Sequence, residues 1–259
     1  MPIPERMNPK FASTRTTALP VADLLEEARD HLIVALDVPD AAASAALVKQ
    51  LGGTCTWFKV GMELFTAAGP SVLEPILKSG HHVFLDLKFH DIPNTVAGAV
   101  RSAAALGVHM LNVHAAGGPA MLAAASGALD GLTNPPALLA VTVLTSTDQA
   151  QINAIGVPRS PAEQVELLAR MSLAAGIRGF VTSPEEVAAL RAITGPEGIL
   201  VTPGIRPAGS AKGDQRRIAT PGRALRQGAS FLVVGRPITQ ASNPAKAAQA
   251  ILREMSEAL

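Results

Sequence analysis

From about residue 31 onward, short apolar runs alternate with longer stretches that repeat their apolar positions at helical spacing. The strand-like runs cover 31–36, 56–60, 82–88, 110–114, 137–144, 179–182, 199–205 and 231–235. Between and after them, helices are predicted over 41–51, 62–78, 95–106, 119–129, 161–174, 184–193, 222–227 and 244–258. The runs are apolar almost throughout, not on every second residue, which is the mark of parallel strands covered on their outer face by helices. Eight strand–helix units in 259 residues favour an α/β fold closed into a single (β/α)8 TIM barrel over an open doubly wound sheet. The Rossmann fingerprint is absent after the first run, which continues Leu36-Asp37-Val38-Pro39-Asp40, and no Walker A motif occurs. Residues 1–29 read as an N-terminal arm with a possible capping helix over 20–29, and 30–259 as the barrel.

Composition narrows the function classes. The chain is 48% hydrophobic and 17% charged, enough apolar material for a large core. A net charge of +1 gives no global field for a nucleic acid polymer or an acidic membrane, so any anion must be bound by local placement of charge. No apolar run is long enough for a membrane helix. Cys55, the single cysteine, excludes an intrachain disulfide and fits a reducing compartment; a cytoplasmic location is expected.

Barrel enzymes carry their chemistry at the C-terminal ends of strands, so charges there stand out. The first run ends at Asp37, the second holds Lys59, and the third ends in Asp86-Leu87-Lys88-Phe89-His90-Asp91. Asp86 and Lys88, two apart on a strand, point the same way. Three acids and two lysines thus gather on one rim, their alternating signs offsetting the several kcal/mol per ion that burial costs. An ammonium beside a fixed carboxylate suits proton delivery to an anionic substrate. A different feature follows the last two runs. Pro203-Gly204-Ile205-Arg206 and Gly235-Arg236 offer close backbone approach and planar guanidinium groups at the two loops where barrels commonly hold phosphate. Between them, 208–217 (AGSAKGDQRR) is a polar loop long enough to close over a ligand. His114, His90, Cys55, Trp57 and Phe58 are read as packing or rim residues without a chemical role.

In order and spacing, ALDVPD, FKVGMELF, FLDLKFHDIPNTV, NVHAAGG, AVTVLTS, VTPGIRP, GDQRRI and VVGRPIT resemble the orotidine 5'-phosphate decarboxylase family in its bacterial form, from residue 31 to the C-terminus. The resemblance implies loss of CO2 from orotidine 5'-monophosphate to give uridine 5'-monophosphate, the closing step of de novo pyrimidine synthesis, with neither metal nor organic cofactor. It further implies that Lys88 protonates the ring carbon, Asp86 lies against the departing carboxylate, and Lys59 and Asp91 complete the charged array. Asp37 and Lys59 would hold the ribose, Thr145 the base, Gln215 base and phosphate together, and Arg206, Gly235 and Arg236 the phosphate. Asp91 and Thr95 would come from the other subunit of a homodimer. The alternative is a magnesium-dependent keto-sugar phosphate decarboxylase or hexulose-phosphate synthase, which shares Asp-x-Lys-x-x-Asp but generally carries an acid where this chain has Lys59.

Overall fold

The computed structural model describes residues 21–207 and 217–259. Eight parallel strands close into a barrel in chain order: β1 Leu32–Ala35, β2 Trp57–Gly61, β3 His82–Phe89, β4 Met110–His114, β5 Ala137–Val141, β6 Gly179–Val181, β7 Ile199–Thr202 and β8 Phe231–Val234, with β8 pairing back onto β1. All eight apolar runs are strands, with helices between them, as the alternation predicts.

Strand alternation sorts the buried side chains into two clusters. Ile33, Ala35, Phe84, Met110, Leu139 and Val201 belong to the set that fills the barrel. Their neighbours in sequence, such as Val34, Phe58, Leu85, Leu111 and Leu200, pack outward against the helices. Parity therefore decides which rim residues face the mouth: Lys59 lies two beyond Trp57, and Asp86 two beyond Phe84, both on the inner face. At the N-terminal end Trp57, His82, His109 and Phe231 close the floor, with the Trp57 and His82 rings stacked at 4.7 Å and His82 and His109 edge to face at 4.4 Å.

Several boundaries differ from the sequence expectation, each for a local reason. The stretch 62–78 is three pieces, Met62–Ala68, a 3-10 turn Pro70–Val72 and Leu73–Lys78, because Gly69 adopts φ 68° and Pro70 follows it. The fifth strand stops at Val141 and the seventh at Thr202, before Pro203 and the left-handed Gly204 (φ 80°). A helix Gln149–Ala154, started by an Asp148–Gln151 capping box, was not expected, nor was the short Arg236–Thr239 turn. The N-terminal helix runs over Val21–His31 and packs against Pro244–Ser256. The arm before it lies outside the described residues.

Candidate active site

The mouth of the barrel holds a cavity of roughly 480 Å³. Asp37, Lys59, Asp86 and Lys88 all line it and form one continuous chain of opposite charges. Lys59 Nζ lies 3.0 Å from Asp37 Oδ1 and 3.3 Å from Asp86 Oδ2, and Lys88 Nζ lies 2.6 Å from Asp86 Oδ1. Exposure is graded along it: the Asp37 side chain is 54% exposed, Lys88 23%, and Lys59 and Asp86 only 10% and 11%. The two innermost charges therefore depend on one another. Burial alone would lower the Lys59 pKa, but the Asp86 and Asp37 carboxylates outweigh it and leave it raised. Burial likewise pushes Asp86 upward, yet Lys59, Lys88 and the hydrogen bonds from Lys88 and Asn112 hold its carboxyl below the ordinary range. Both groups are thus charged at neutral pH. Gly61 makes room for this arrangement, since a Cβ there would stand 2.8 Å from Lys59 Nζ.

Lys88 does not sit on a regular strand. The β3–β4 register passes from Leu85↔Leu111 to Phe89↔Val113, so four steps along β3 span two along β4. Within this bulge Lys88 adopts φ 51°, the one positive φ of a non-glycine among the described residues. Its backbone N–H donates to Asn112 Oδ1 at 2.7 Å, and Asn112 Nδ2 donates to Asp86 Oδ1 at 2.7 Å. Asn112 is fully buried and was not singled out in the sequence. Its signal there is a polar residue amid Met-Leu-Asn-Val-His, at the inward parity of β4.

On the β7–β8 side, Arg206, Gly235 and Arg236 line the same cavity. Arg206 is buried, its pKa lowered first by burial and then by the like charge of Arg236. Two guanidinium groups sharing a pocket form an anion-demanding end. Thr145 lines the cavity as well. The backbone leading to it is fixed by Arg217, which donates to Leu144 O at 2.8 Å while paired with buried Glu186, itself hydrogen-bonded by Ser183.

Asp91 and Thr95 stand apart. Both are exposed and absent from the cavity lining, and Asp91 Oδ1 accepts from the Ile92 N–H at 2.6 Å. The expected five-charge array is therefore a four-charge chain within one subunit. Gln215 lies outside the described residues. Cys55 is buried and its thiol is pushed up to about 12, chiefly by burial, as befits an inert packing residue. Trp57 is a floor residue, and His90 and His114 lie ring to ring at 5.5 Å without lining the cavity.

Residues 30–251 match the sequence profile of the orotidine 5'-phosphate decarboxylase / HUMPS family. The chain belongs to that family. Among its relatives, the orotidine 5'-phosphate decarboxylase of Moorella thermoacetica is 54% identical over 234 residues, covering 88% of this chain and 93% of the relative. The one of Halorhodospira halophila is 53% identical over 228 residues, covering 88% and 97%. The crystal structure of orotidine 5'-phosphate decarboxylase from Lactobacillus acidophilus superposes with a TM-score of 0.76 at 41% identity, covering 87% of this chain and 98% of that one. Family members are thus alike in sequence and in barrel architecture over nearly the whole described chain.

Proposed function

We propose that this protein decarboxylates orotidine 5'-monophosphate to uridine 5'-monophosphate and CO2, using its own side chains without a metal or organic cofactor. The observation that carries this reading is Asp86, a buried carboxylate clasped between the Lys59 and Lys88 ammonium groups in a cavity that also presents Arg206 and Arg236. Relatives about 50% identical over most of the chain bear the decarboxylase name. The magnesium-dependent alternative is not favoured: Lys59, a cation paired with both Asp37 and Asp86, stands where that alternative generally carries an acid.

The chemistry asks for stabilisation of charge that develops only in the transition state. When the bond from the ring carbon to the carboxylate breaks, its electron pair remains on that carbon and CO2 departs. The Lys88 ammonium faces this carbanion first as a charge partner and then as the acid whose proton forms the new C–H bond. Asp86 pairs with Lys88 and lies against the carboxylate before it leaves. Asp37 and Lys59 hold the ribose hydroxyls, and Thr145 the base. Arg206, Gly235 and Arg236 take the phosphate, with Gln215 bridging base and phosphate. The binding energy of that remote group holds the ring in register with Lys88. Two subunits form a homodimer in which Asp91 and Thr95 of one complete the site of the other. Their exposure and separation from the cavity of their own chain support that role. A single buried cysteine fits a reducing cytoplasm.

The test follows ultraviolet absorbance of orotidine 5'-monophosphate, with chelator present. The wild-type chain should turn over, and Lys88→Ala, verified as folded by circular dichroism, should lose about 100- to 10,000-fold, the usual share of a general acid. Near-native turnover by the variant removes Lys88 from the chemistry, and activity that chelator abolishes and magnesium restores favours the rival reaction.

A further inference from the structure

A carboxylate only accepts hydrogen bonds and a backbone N–H only donates them, so one orientation of the Asn112 amide fits between the two. Asn112 Oδ1 takes the Lys88 N–H and Nδ2 serves Asp86, each at 2.7 Å. The first bond replaces a ladder bond that the β3 bulge forfeits, because between the paired positions three residues of β3 oppose one of β4. It ties the one left-handed non-glycine residue among those described to a neighbouring strand. The second fixes which Asp86 oxygen meets Lys88, since Oδ1 accepts from both Asn112 Nδ2 and Lys88 Nζ. No other side chain bridges Lys88 and Asp86 among the described residues.

We propose that Asn112 is a positioning residue for the decarboxylation: it holds the Lys88 backbone in its bulged conformation and sets the Asp86 carboxylate against the Lys88 ammonium. This rests on the reading of Lys88 as proton donor. Asn112 lies behind the pair and does not line the cavity, so it acts on the substrate through Asp86 and Lys88. Its loss is expected to slow the chemical step and to spare nucleotide binding. The charged and titratable groups around it are Asp86 and Lys88 on β3, Lys59 beyond Asp86 on β2, and His114 two residues further on β4; β5 opposes it with Leu139.

Two variants test the assignment in the intact protein. Asn112→Val suits a strand and removes both hydrogen bonds; kcat should fall about 10- to 100-fold, the range set by hydrogen bonds to charged groups, with the dissociation constant of uridine 5'-monophosphate within about threefold of wild type. Asn112→Asp keeps the acceptor for Lys88 and, when protonated, a donor for Asp86. Ionised, it sets a second anion against that carboxylate. Its kcat should therefore fall as pH rises through a new limb that the wild type lacks. The proposal is overturned if folded Asn112→Val keeps kcat within about threefold, or loses kcat and nucleotide affinity by the same factor. Should Asn112→Val fail to fold, an Asn112→Asp profile of wild-type shape overturns it. A wild-type protein that does not decarboxylate refutes instead the reaction on which the proposal rests.

Discussion

Replacing Asp86 by asparagine separates two parts the carboxylate is assigned. It pairs with two ammonium groups, at 2.6 Å and 3.3 Å, and it faces the substrate's own carboxylate. A ring carbon within about 3–3.5 Å of Lys88 Nζ would set the substrate carboxylate close to Asp86, whose Oδ1 is 2.6 Å from that nitrogen, and a charge separation of about 4 Å is taken for the pair. Two like charges at that distance and an effective dielectric near 20 repel by about 4 kcal/mol, about a thousandfold in binding. Lys59 and Lys88 screen part of this, so Asp86→Asn should bind orotidine 5'-monophosphate about 10- to 100-fold more tightly relative to uridine 5'-monophosphate, which lacks the carboxylate. Turnover should still fall, because Lys88 loses the partner that aims it and the repulsion no longer favours departure of CO2. Rapid-mixing capture of the substrate and calorimetry with the product measure the two affinities, and single-turnover absorbance measures the chemical step. Circular dichroism and urea titration confirm that the variant is folded, since breaking a buried pair costs about 3–5 kcal/mol. Equal changes in both affinities would refute the repulsion, and undiminished turnover would refute the aiming role.

Arg236→Ala should weaken uridine 5'-monophosphate far more than uridine, by about 10- to 100-fold for one charge-assisted contact; equal losses in calorimetry would move the phosphate elsewhere. Mixing inactive Asp91→Ala and inactive Lys88→Ala homodimers should restore up to about a quarter of the sites if each cavity draws Asp91 from its neighbour, and subunit-exchanged mixtures without activity would argue against a shared site. The floor histidines set a pH dependence of stability. His109 accepts the Val83 N–H on Nδ1, and burial, then His82, lowers its pKa to about 4. The unfolded chain takes up that proton near pH 6.5, so stability is full above that pH and is lost as pH falls toward 4, by about 1–2 kcal/mol after allowance for partial exposure. Urea midpoints that stay constant between pH 7.5 and 5 would contradict this.

How much could be read in advance depended on whether regular geometry held. The strands were legible because parallel strands covered on both faces leave unbroken apolar runs, and Asp37, Lys59 and Asp86 were legible because parity carries them inward from Ala35, Trp57 and Phe84. The same parity put Lys88 beside Asp86, and the two do meet, but by way of a bulge that alternation does not foresee. The role of Asn112 is not legible in the chain for that reason: its task exists only because β3 is irregular beside it. The break at Gly69-Pro70 was written in the chain, yet the apolar spacing over 62–78 continues across it. Asp91 is expected on the rim from its place after the third strand, and Thr95 and the crossing of both to another subunit by resemblance alone; neither lines the cavity of its own chain.

The conformation of Lys88 sets a limit on improvement. A left-handed backbone costs an ordinary residue about 1–2 kcal/mol, and glycine or asparagine would sit there at ease. Neither carries an ammonium. A redesign that followed backbone preference at this position would relax the barrel and silence it, so part of the fold's free energy is permanently committed to keeping one lysine where it is least comfortable.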